Sequence, residues 1–194
     1  LPGVRMNWGA VVAAGGLERD PLLSELGTPR KALAVFGGKS SLAYTLDAVA
    51  AAGLSNCATV SGEDVRAEVV HGILAPEGGG AVENAIIGVD ALSECDAVLF
   101  LPCDSPRITG PAIAQFIDGV EARLAEGAPE RWFATGLCPV GRFREEYPTV
   151  DTEALHLREG PMVSGALFAA SPAGVRHAVD LLSAFRDSRK SQFG

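Results

Sequence analysis

The sequence predicts an α/β fold, a three-layer sandwich in which a mainly parallel sheet lies between helices. Short apolar segments alternate with segments of helical periodicity along the chain, which is typical of parallel strands joined by crossover helices. Hydrophobic residues form 47% of the 194 residues, enough for a substantial core. We therefore expect residues 1–194 to form a single domain.

The predicted strands are short apolar segments bounded by glycine, proline or polar residues. They cover residues 9–14, 58–61, 72–75, 96–103, 132–137 and 162–170. The clearest is the run from Ala97 to Leu101, which is apolar at every position, as expected of a strand buried on both faces. Residues 72–75 are expected to form an edge strand.

The predicted helices have apolar residues at helical spacing. They cover residues 42–52, 82–92, 109–125 and 172–185, and a weaker helix or loop covers 63–70. Ser40 or Ser41 is expected to cap the first helix, and Thr109 the third, with Pro111 in its first turn. Gly37-Gly38 marks a turn before the first helix.

A glycine pair, Gly15-Gly16, follows the first predicted strand, at the sheet edge where ligands of parallel sheets bind. Glycines leave room for backbone N–H groups to approach phosphate oxygens. Arg19 offers a planar guanidinium, and Lys31 a second positive charge. The segment has neither a P-loop nor a dinucleotide fingerprint. On its own, this segment is better explained as an ordinary glycine turn with solvated basic residues, because glycine pairs are common.

Asp104 directly follows the clearest strand, on the same edge of the sheet as the glycine pair. A carboxylate there suits Mg²⁺, which typically takes one or two carboxylates plus substrate phosphates. Pro102 and Pro106 are expected to stiffen the turn. The alternative is that Asp104 caps the turn through a backbone hydrogen bond. Both interpretations stay open at this level.

The net charge of −8 argues against non-specific nucleic-acid binding, which depends on clustered Lys and Arg. No apolar run approaches the roughly 20 residues that a membrane-spanning helix needs, and no secretory signal peptide is visible. We therefore expect a cytoplasmic protein that binds neither nucleic acid nor a membrane. Its expected form is a monomer or a homodimer.

Taken together, these motifs resemble the MobA-like nucleotidyltransferase family, whose fold is a Rossmann-like glycosyltransferase-A variant. The resemblance rests on four motifs in the same order: Val11-Val12-Ala13-Ala14-Gly15-Gly16-x-x-Arg19, then Lys31-Ala32-Leu33 with Gly37-Gly38-Lys39-Ser40-Ser41-Leu42, then Glu77-Gly78-Gly79-Gly80 with Asn84, and Leu99-Phe100-Leu101-Pro102-Cys103-Asp104-Ser105-Pro106. They cover about the first 110 residues. Val163-Ser164-Gly165-Ala166 is a weaker match to a later strand of the family.

The resemblance implies transfer of a nucleotide from a nucleoside triphosphate to a phosphorylated small molecule, with release of pyrophosphate. It implies that backbone groups of Ala14, Gly15 and Gly16 wrap the triphosphate, and that Arg19 and Lys31 neutralise it. These two side chains and Asp104 would be the catalytic residues.

The resemblance also implies that Gly79, Gly80 and Asn84 line the base and ribose, and that Asp104 holds Mg²⁺ near the α-phosphate. The segment between Arg19 and Lys31 is longer than in typical members, so Lys39 is an alternative phosphate lysine. Family members would have a further helix after the position of Arg189-Lys190, and this sequence ends soon after those residues.

The acceptor implied first is molybdopterin, with GTP as donor. Sugar 1-phosphates, methylerythritol phosphate and phospholactate are acceptors of related families. We expect the acceptor near residues 139–164, where Arg142, Arg144 and Arg158 suit an anion, although adjacent glutamates favour a solvated face. Two other classes are a nucleotide-sugar glycosyltransferase, which usually has a DxD motif absent here, and a non-catalytic nucleotide-binding module.

Overall fold

A computed structural model describes residues 6–17, 25 and 27–180. Its strands are β1 (Trp8–Ala13), β2 (Val35–Phe36), β3 (Lys39–Ser40), β4 (Asn56–Ser61), β5 (Ile73–Pro76), β6 (Ala97–Pro102), β7 (Phe133–Pro139), β8 (Leu155–Leu157) and β9 (Gly160–Ala170). Its α-helices are α1 (Ser41–Ala51), α2 (Ala81–Ala91), α3 (Gly110–Leu124), α4 (Val140–Glu146) and α5 (residues 172–180). Short 3-10 helices cover Lys31–Leu33 and Glu63–Glu68.

The described strands form a seven-stranded sheet in the order β5-β4-β1-β6-β9-β7, with β8 paired to β9. Strand β1 lies between β4 and β6 and is parallel to both, and β5 is parallel to β4. Only β9 runs against the others in this sheet, because it is antiparallel to β6, β7 and β8. The carboxyl ends of β1, β4, β5 and β6 therefore meet at one edge, where ligands of parallel sheets bind.

Helices cover both faces of the sheet, which confirms the three-layer α/β arrangement. Adjacent residues of β1 contact helices on opposite faces, since side chains alternate between faces along a strand. Val12 packs with residues of α1 and α3, including Leu42 and Ile113, whereas Val11 packs with Val89 of α2 on the other face. Full burial of each such side chain contributes about 1.5–3 kcal/mol to folding.

Helix α2 lies unusually close to β1. A Cβ atom built at Gly88 would lie 2.4 Å from Cγ1 of Val11, so only glycine fits at this contact. The close approach brings the first turn of α2 beside the loop that follows β1.

The predicted helices and strands are all found where the structure describes them, and β5 is an edge strand as expected. Ser40, rather than Ser41, caps α1, because its Oγ accepts a hydrogen bond from Ala43 N at 3.1 Å. Thr109 caps α3 as predicted. The sequence did not predict α4, β8 or the β2–β3 hairpin, each of which has few residues.

Several expectations concern residues outside the described ranges. They are the role of Arg19 and the predicted helical residues 181–185. None of the helices in the described part of the chain is long and apolar enough to cross a membrane.

Candidate active site

The loop after β1 is built around two glycines, one with a backbone conformation that favours glycine and one closely approached by side chains. Gly16 has φ +85°, a conformation that favours glycine. A Cβ atom at Gly15 would lie 2.5 Å from Oε2 of Glu77 and 3.2 Å from Nδ2 of Asn84. Two polar side chains therefore approach the backbone of this glycine loop directly.

A second glycine segment, Gly78–Gly80, connects β5 to α2 and faces the first. Side chains from the start of α2 hold it in place: Asn84 Oδ1 accepts a hydrogen bond from Gly78 N at 2.7 Å, and Glu83 Oε2 accepts one from Gly79 N at 2.6 Å. Asn84 thus bridges the two glycine segments, because its Nδ2 atom also lies against Gly15.

A cleft of about 340 Å³ lies between these segments. It is lined by Val11, Ala13, Gly15, Gly16, Glu77, Gly78, Gly79, Gly80, Ala81, Asn84, Ala85 and Phe100. Its size is within the range of small-molecule sites, and an apolar floor with a few polar groups at the rim is their usual composition. We call it the glycine cleft.

A larger cavity of about 520 Å³ lies elsewhere, between α1 and residues 70–72. It reaches Cys57 near the start of β4, so it lies toward the amino ends of the strands, away from the glycine cleft. None of the predicted site residues that the structure describes lines this cavity, and the glycine cleft is therefore the better candidate site.

Arg30 is a buried cation beneath the glycine loop, with only 5% of its surface exposed. Its guanidinium forms ion pairs with Asp64 at 2.6 Å and with Glu77 at 3.1 Å. It also donates to Ser61 Oγ at 3.3 Å and to the carbonyl of Ala14 at 3.5 Å. Burial acts to lower the pKa of Arg30, but the hydrogen bonds to the two carboxylates outweigh it and the pKa lies above its ordinary value.

Glu77 links this arginine to the glycine loop. Its Oε2 atom accepts a hydrogen bond from Gly16 N at 2.6 Å. The hydrogen bond from Arg30, and then that from Gly16, hold the pKa of Glu77 below its ordinary value. The cleft is therefore bordered by an ionised carboxylate. Sequence reasoning assigned no role to Arg30 or Glu77, and the residues that Arg30 pairs with are distant along the chain.

Lys31 and Asp104 lie together at the same edge of the sheet, with 3.7 Å between Lys31 Nζ and Asp104 Oδ2. Both side chains are almost half exposed. Lys39, the alternative lysine, instead pairs with Asp47 of α1 and lies 4.9 Å from the ring centroid of Tyr44. The structure brings Lys31, and not Lys39, to the predicted metal ligand.

The turn that carries Asp104 is anchored on both sides. Cys103 N donates to the carbonyl of Ala13 at 3.1 Å, and Ser41 Oγ donates to the carbonyl of Cys103 at 2.6 Å. Burial raises the pKa of the Cys103 thiol to about 11, so the thiol is protonated at neutral pH. The position of Asp104 is therefore fixed relative to the end of β1.

Few possible metal ligands surround Asp104 in the part of the chain that the structure describes. Within the described ranges, no group of three or more His, Cys, Asp or Glu side chains is arranged to hold a metal. Asp104 offers a single exposed carboxylate at the strand edge. This suits Mg²⁺, which often binds one or two carboxylates and completes its coordination with substrate phosphates and water.

The predicted site residues lie at different places in the structure. Gly15, Gly16, Gly79, Gly80 and Asn84 line the glycine cleft, and Lys31 and Asp104 form the neighbouring pair. The Ala14 carbonyl accepts hydrogen bonds from Arg30 and Ser61, and Ala14 N donates to the Val60 carbonyl. Arg19 is outside the described residues. On the acceptor side, Arg142, Arg144 and Arg158 are exposed, on α4 and in the β8–β9 turn.

Comparison with known proteins identifies the family. The sequence pattern of the MobA-like NTP transferase domain matches residues 9–136. This range includes both glycine segments, Lys31 and Asp104. Curated protein sequences give no match to the chain.

Solved structures of similar fold agree with this match. A hypothetical transferase from Thermus thermophilus has a TM-score of 0.70 and 26% identity, over 97% of this chain and 75% of that one. CMP:2-keto-3-deoxy-manno-octonic acid synthetase in complex with CTP has a TM-score of 0.65 and 14% identity, over 90% of this chain and 78% of that one.

A third similar structure is Rv0371C of Mycobacterium tuberculosis H37Rv in complex with manganese. It has a TM-score of 0.52 and 16% identity, over 89% of this chain and 75% of that one. The last two similarities concern the fold alone, whereas the family match covers more than half of the chain and the residues of the candidate site. The chain belongs to the MobA-like NTP transferase family, and it is an NTP-dependent nucleotidyltransferase.

Proposed function

We propose that this protein transfers GMP from GTP to a phosphorylated small-molecule acceptor, molybdopterin in the first place, with release of pyrophosphate. The observation that carries the proposal is the position of the glycine cleft beside the Lys31–Asp104 pair at one edge of the sheet. A nucleoside in the cleft would direct its triphosphate along the Gly15-Gly16 backbone.

The lining of the glycine cleft supports guanine as the base. Guanine presents an N1–H and an exocyclic amino group as donors. The ionised Glu77 carboxylate at the cleft already accepts from Arg30 and Gly16, and its remaining lone pairs are matching acceptors. The Asn84 side chain carries both an amide donor and an acceptor at the same rim.

Lys31 and Arg19 are proposed to neutralise the triphosphate, and the Asp104 carboxylate to hold Mg²⁺. Bound Mg²⁺ would supply positive charge to phosphate oxygens and help to orient them. Asp104 suits this role because its turn is tied to β1 and α1 through Cys103.

The transfer itself needs no covalent intermediate on the protein. An acceptor phosphate oxygen attacks the α-phosphorus, a new P–O bond forms, and the bond to the β-phosphate breaks with pyrophosphate as leaving group. The nearby Cys103 thiol is buried and protonated, so it is unsuited to act as a nucleophile. Alignment and charge stabilisation by side chains at the sheet edge would account for the rate.

The acceptor is proposed to bind toward residues 139–164. Helix α4 and the β8–β9 turn present Arg142, Arg144 and Arg158 to solvent there, and guanidinium groups bind phosphate well. Sugar 1-phosphates, methylerythritol phosphate and phospholactate are the alternative acceptors. We further propose that residues 1–194 act as one nucleotidyltransferase domain in the cytoplasm.

A pyrophosphate-release assay tests the proposal. Each nucleoside triphosphate is combined with Mg²⁺ and with each acceptor in turn, and we expect release with GTP and molybdopterin. Release with a different nucleoside triphosphate and acceptor would correct the proposed substrates and still support nucleotidyl transfer. Nucleotide binding without release for any acceptor would instead favour a non-catalytic binding module.

A thermal-shift comparison of GTP with CTP, UTP and ATP tests the base separately. Ligand binding stabilises the folded state by mass action, by about 2.7 kcal/mol at a ligand concentration of 100 times Kd. We expect the largest rise in melting temperature with GTP, and a larger rise with another nucleotide would contradict the guanine assignment.

A further inference from the structure

Arg30 joins the ends of three neighbouring parallel strands. Its guanidinium contacts the Ala14 carbonyl after β1, Ser61 Oγ at the end of β4 and Glu77 after β5, at 3.5, 3.3 and 3.1 Å. Asp64 adds a further ion pair at 2.6 Å. A buried charge is tolerated only when it is paired and hydrogen-bonded, and Arg30 satisfies this requirement with groups from separate parts of the chain.

The contact with Glu77 extends the effect of Arg30 to the glycine loop. Glu77 Oε2 lies 3.4 Å from Arg30 Nη1 and accepts from Gly16 N at 2.6 Å. Gly15 leaves space for this carboxylate, since a Cβ atom there would lie 2.5 Å from the same oxygen. The conformation of the loop before any nucleotide binds therefore depends on a carboxylate that Arg30 holds.

The backbone of Arg30 also helps to position Lys31. Arg30 N donates to Thr28 Oγ1 at 3.1 Å, and the Arg30 carbonyl accepts from Leu33 N at 2.9 Å. Arg30 is thus the first residue of the turn that presents Lys31 to Asp104. Its buried side chain fixes where that turn starts.

We propose that Arg30 is a positioning residue, which holds two parts of the nucleotide site in place before the nucleotide binds. Through Glu77 it fixes the conformation of the glycine loop, and through its own backbone it fixes the position of Lys31. Lysine cannot replace it, because one ammonium group cannot reach these acceptors in the fixed planar geometry of a guanidinium. The consequence for nucleotide binding rests on the proposed function, whereas the ordering of the loop does not.

The test compares Arg30→Lys with Arg66→Lys. Arg66 is a matched control because it forms an exposed ion pair with Glu63 in the neighbouring 3-10 helix. Amide hydrogen exchange is measured without nucleotide for the loop at residues 14–17 and for β6. We expect Arg30→Lys to speed exchange in the loop by about 10-fold or more, the effect of losing a hydrogen bond to a charged group, and to leave β6 unchanged.

The same variants are compared for GTP affinity and for the KM and kcat of pyrophosphate release. We expect Arg30→Lys to weaken GTP binding and raise KM by about 10-fold or more, with a smaller change in kcat. In the variant, part of the binding free energy of the nucleotide would be used to order the loop. Arg66→Lys is expected to match the unsubstituted protein.

Unchanged loop exchange in Arg30→Lys would overturn the proposal, and so would an equal increase in β6, which would indicate general destabilisation. If Arg30→Lys does not fold, Glu77→Gln decides. This variant keeps the shape but removes the charge, and Asp64 still pairs with Arg30. Faster exchange in the loop alone supports the proposal, and unchanged exchange overturns it.

Failure of the unsubstituted protein to bind any nucleotide would overturn the proposed function, while hydrogen exchange would still decide the role of Arg30.

Discussion

Lys31 Nζ lies 3.7 Å from Asp104 Oδ2, although the two residues belong to distant parts of the chain. Lys31 is the first residue of the 3-10 helix before the β2–β3 hairpin, and Asp104 follows strand β6. Their proximity places a cation and a carboxylate beside the glycine cleft. This geometry motivates the first two predictions.

Replacement of Asp104 by alanine is expected to reduce pyrophosphate release by about 100-fold or more, because removal of a group that stabilises transition-state charge costs about 3 kcal/mol or more. The fold should survive, since the side chain is almost half exposed. Circular dichroism and the release assay measure the two effects. Asp47→Ala, at an exposed site on α1, is the control, and near-normal turnover of Asp104→Ala would reject the metal role.

Alanine at Lys31 is expected to lower activity by a similar factor of about 100, whereas alanine at Lys39 should leave it close to normal. Lys39 is engaged with Asp47 and Tyr44 rather than with Asp104. Steady-state kinetics of the two variants measured side by side distinguish them. The opposite order of activities would assign the phosphate-binding role to Lys39.

Glu77 is expected to make stability depend on acidic pH. Its pKa lies below the ordinary value of 4.5 because of hydrogen bonds from Arg30 and then Gly16, so the ionised form stabilises the fold. This contribution is fully present above pH 4.5 and is lost as the pH falls through the lower pKa of the folded state. In urea unfolding at a series of pH values, the free energy of unfolding should therefore fall less at acidic pH for Glu77→Gln than for the unsubstituted protein. Parallel curves for the two proteins would contradict the ion pair.

Two glycines in helices are expected to respond in opposite ways to alanine. At Gly88 the new Cβ would lie 2.4 Å from Val11 Cγ1, so Gly88→Ala should destabilise the protein by about 1–3 kcal/mol, as overpacking of a core does. At Gly119 in α3 the space is open, and Gly119→Ala should stabilise by up to about 1 kcal/mol through helix propensity. Denaturant midpoints give both values. A stable Gly88→Ala variant would show that α2 can move away from β1.

The candidate site was predictable in part, and the reason can be seen at individual residues. Gly15, Gly16 and Asp104 each follow an apolar strand, and the carboxyl ends of parallel strands share one edge. Arg30 gave no such signal, because a charged residue next to a lysine in a polar loop is normally exposed. Its burial depends on carboxylates at Asp64 and Glu77 that only the folded chain brings to it.

The sequence alone determined the α/β class, the main strands and helices, and the two glycine segments, because these depend on residues close along the chain. Tertiary structure decided the reversed direction of β9, the choice of Lys31 over Lys39 beside Asp104, and the Arg30–Glu77–Gly16 contacts. Each of these is a long-range pairing. Local periodicity does not specify such pairings, since they arise only when the order of strands in the sheet brings separate loops together.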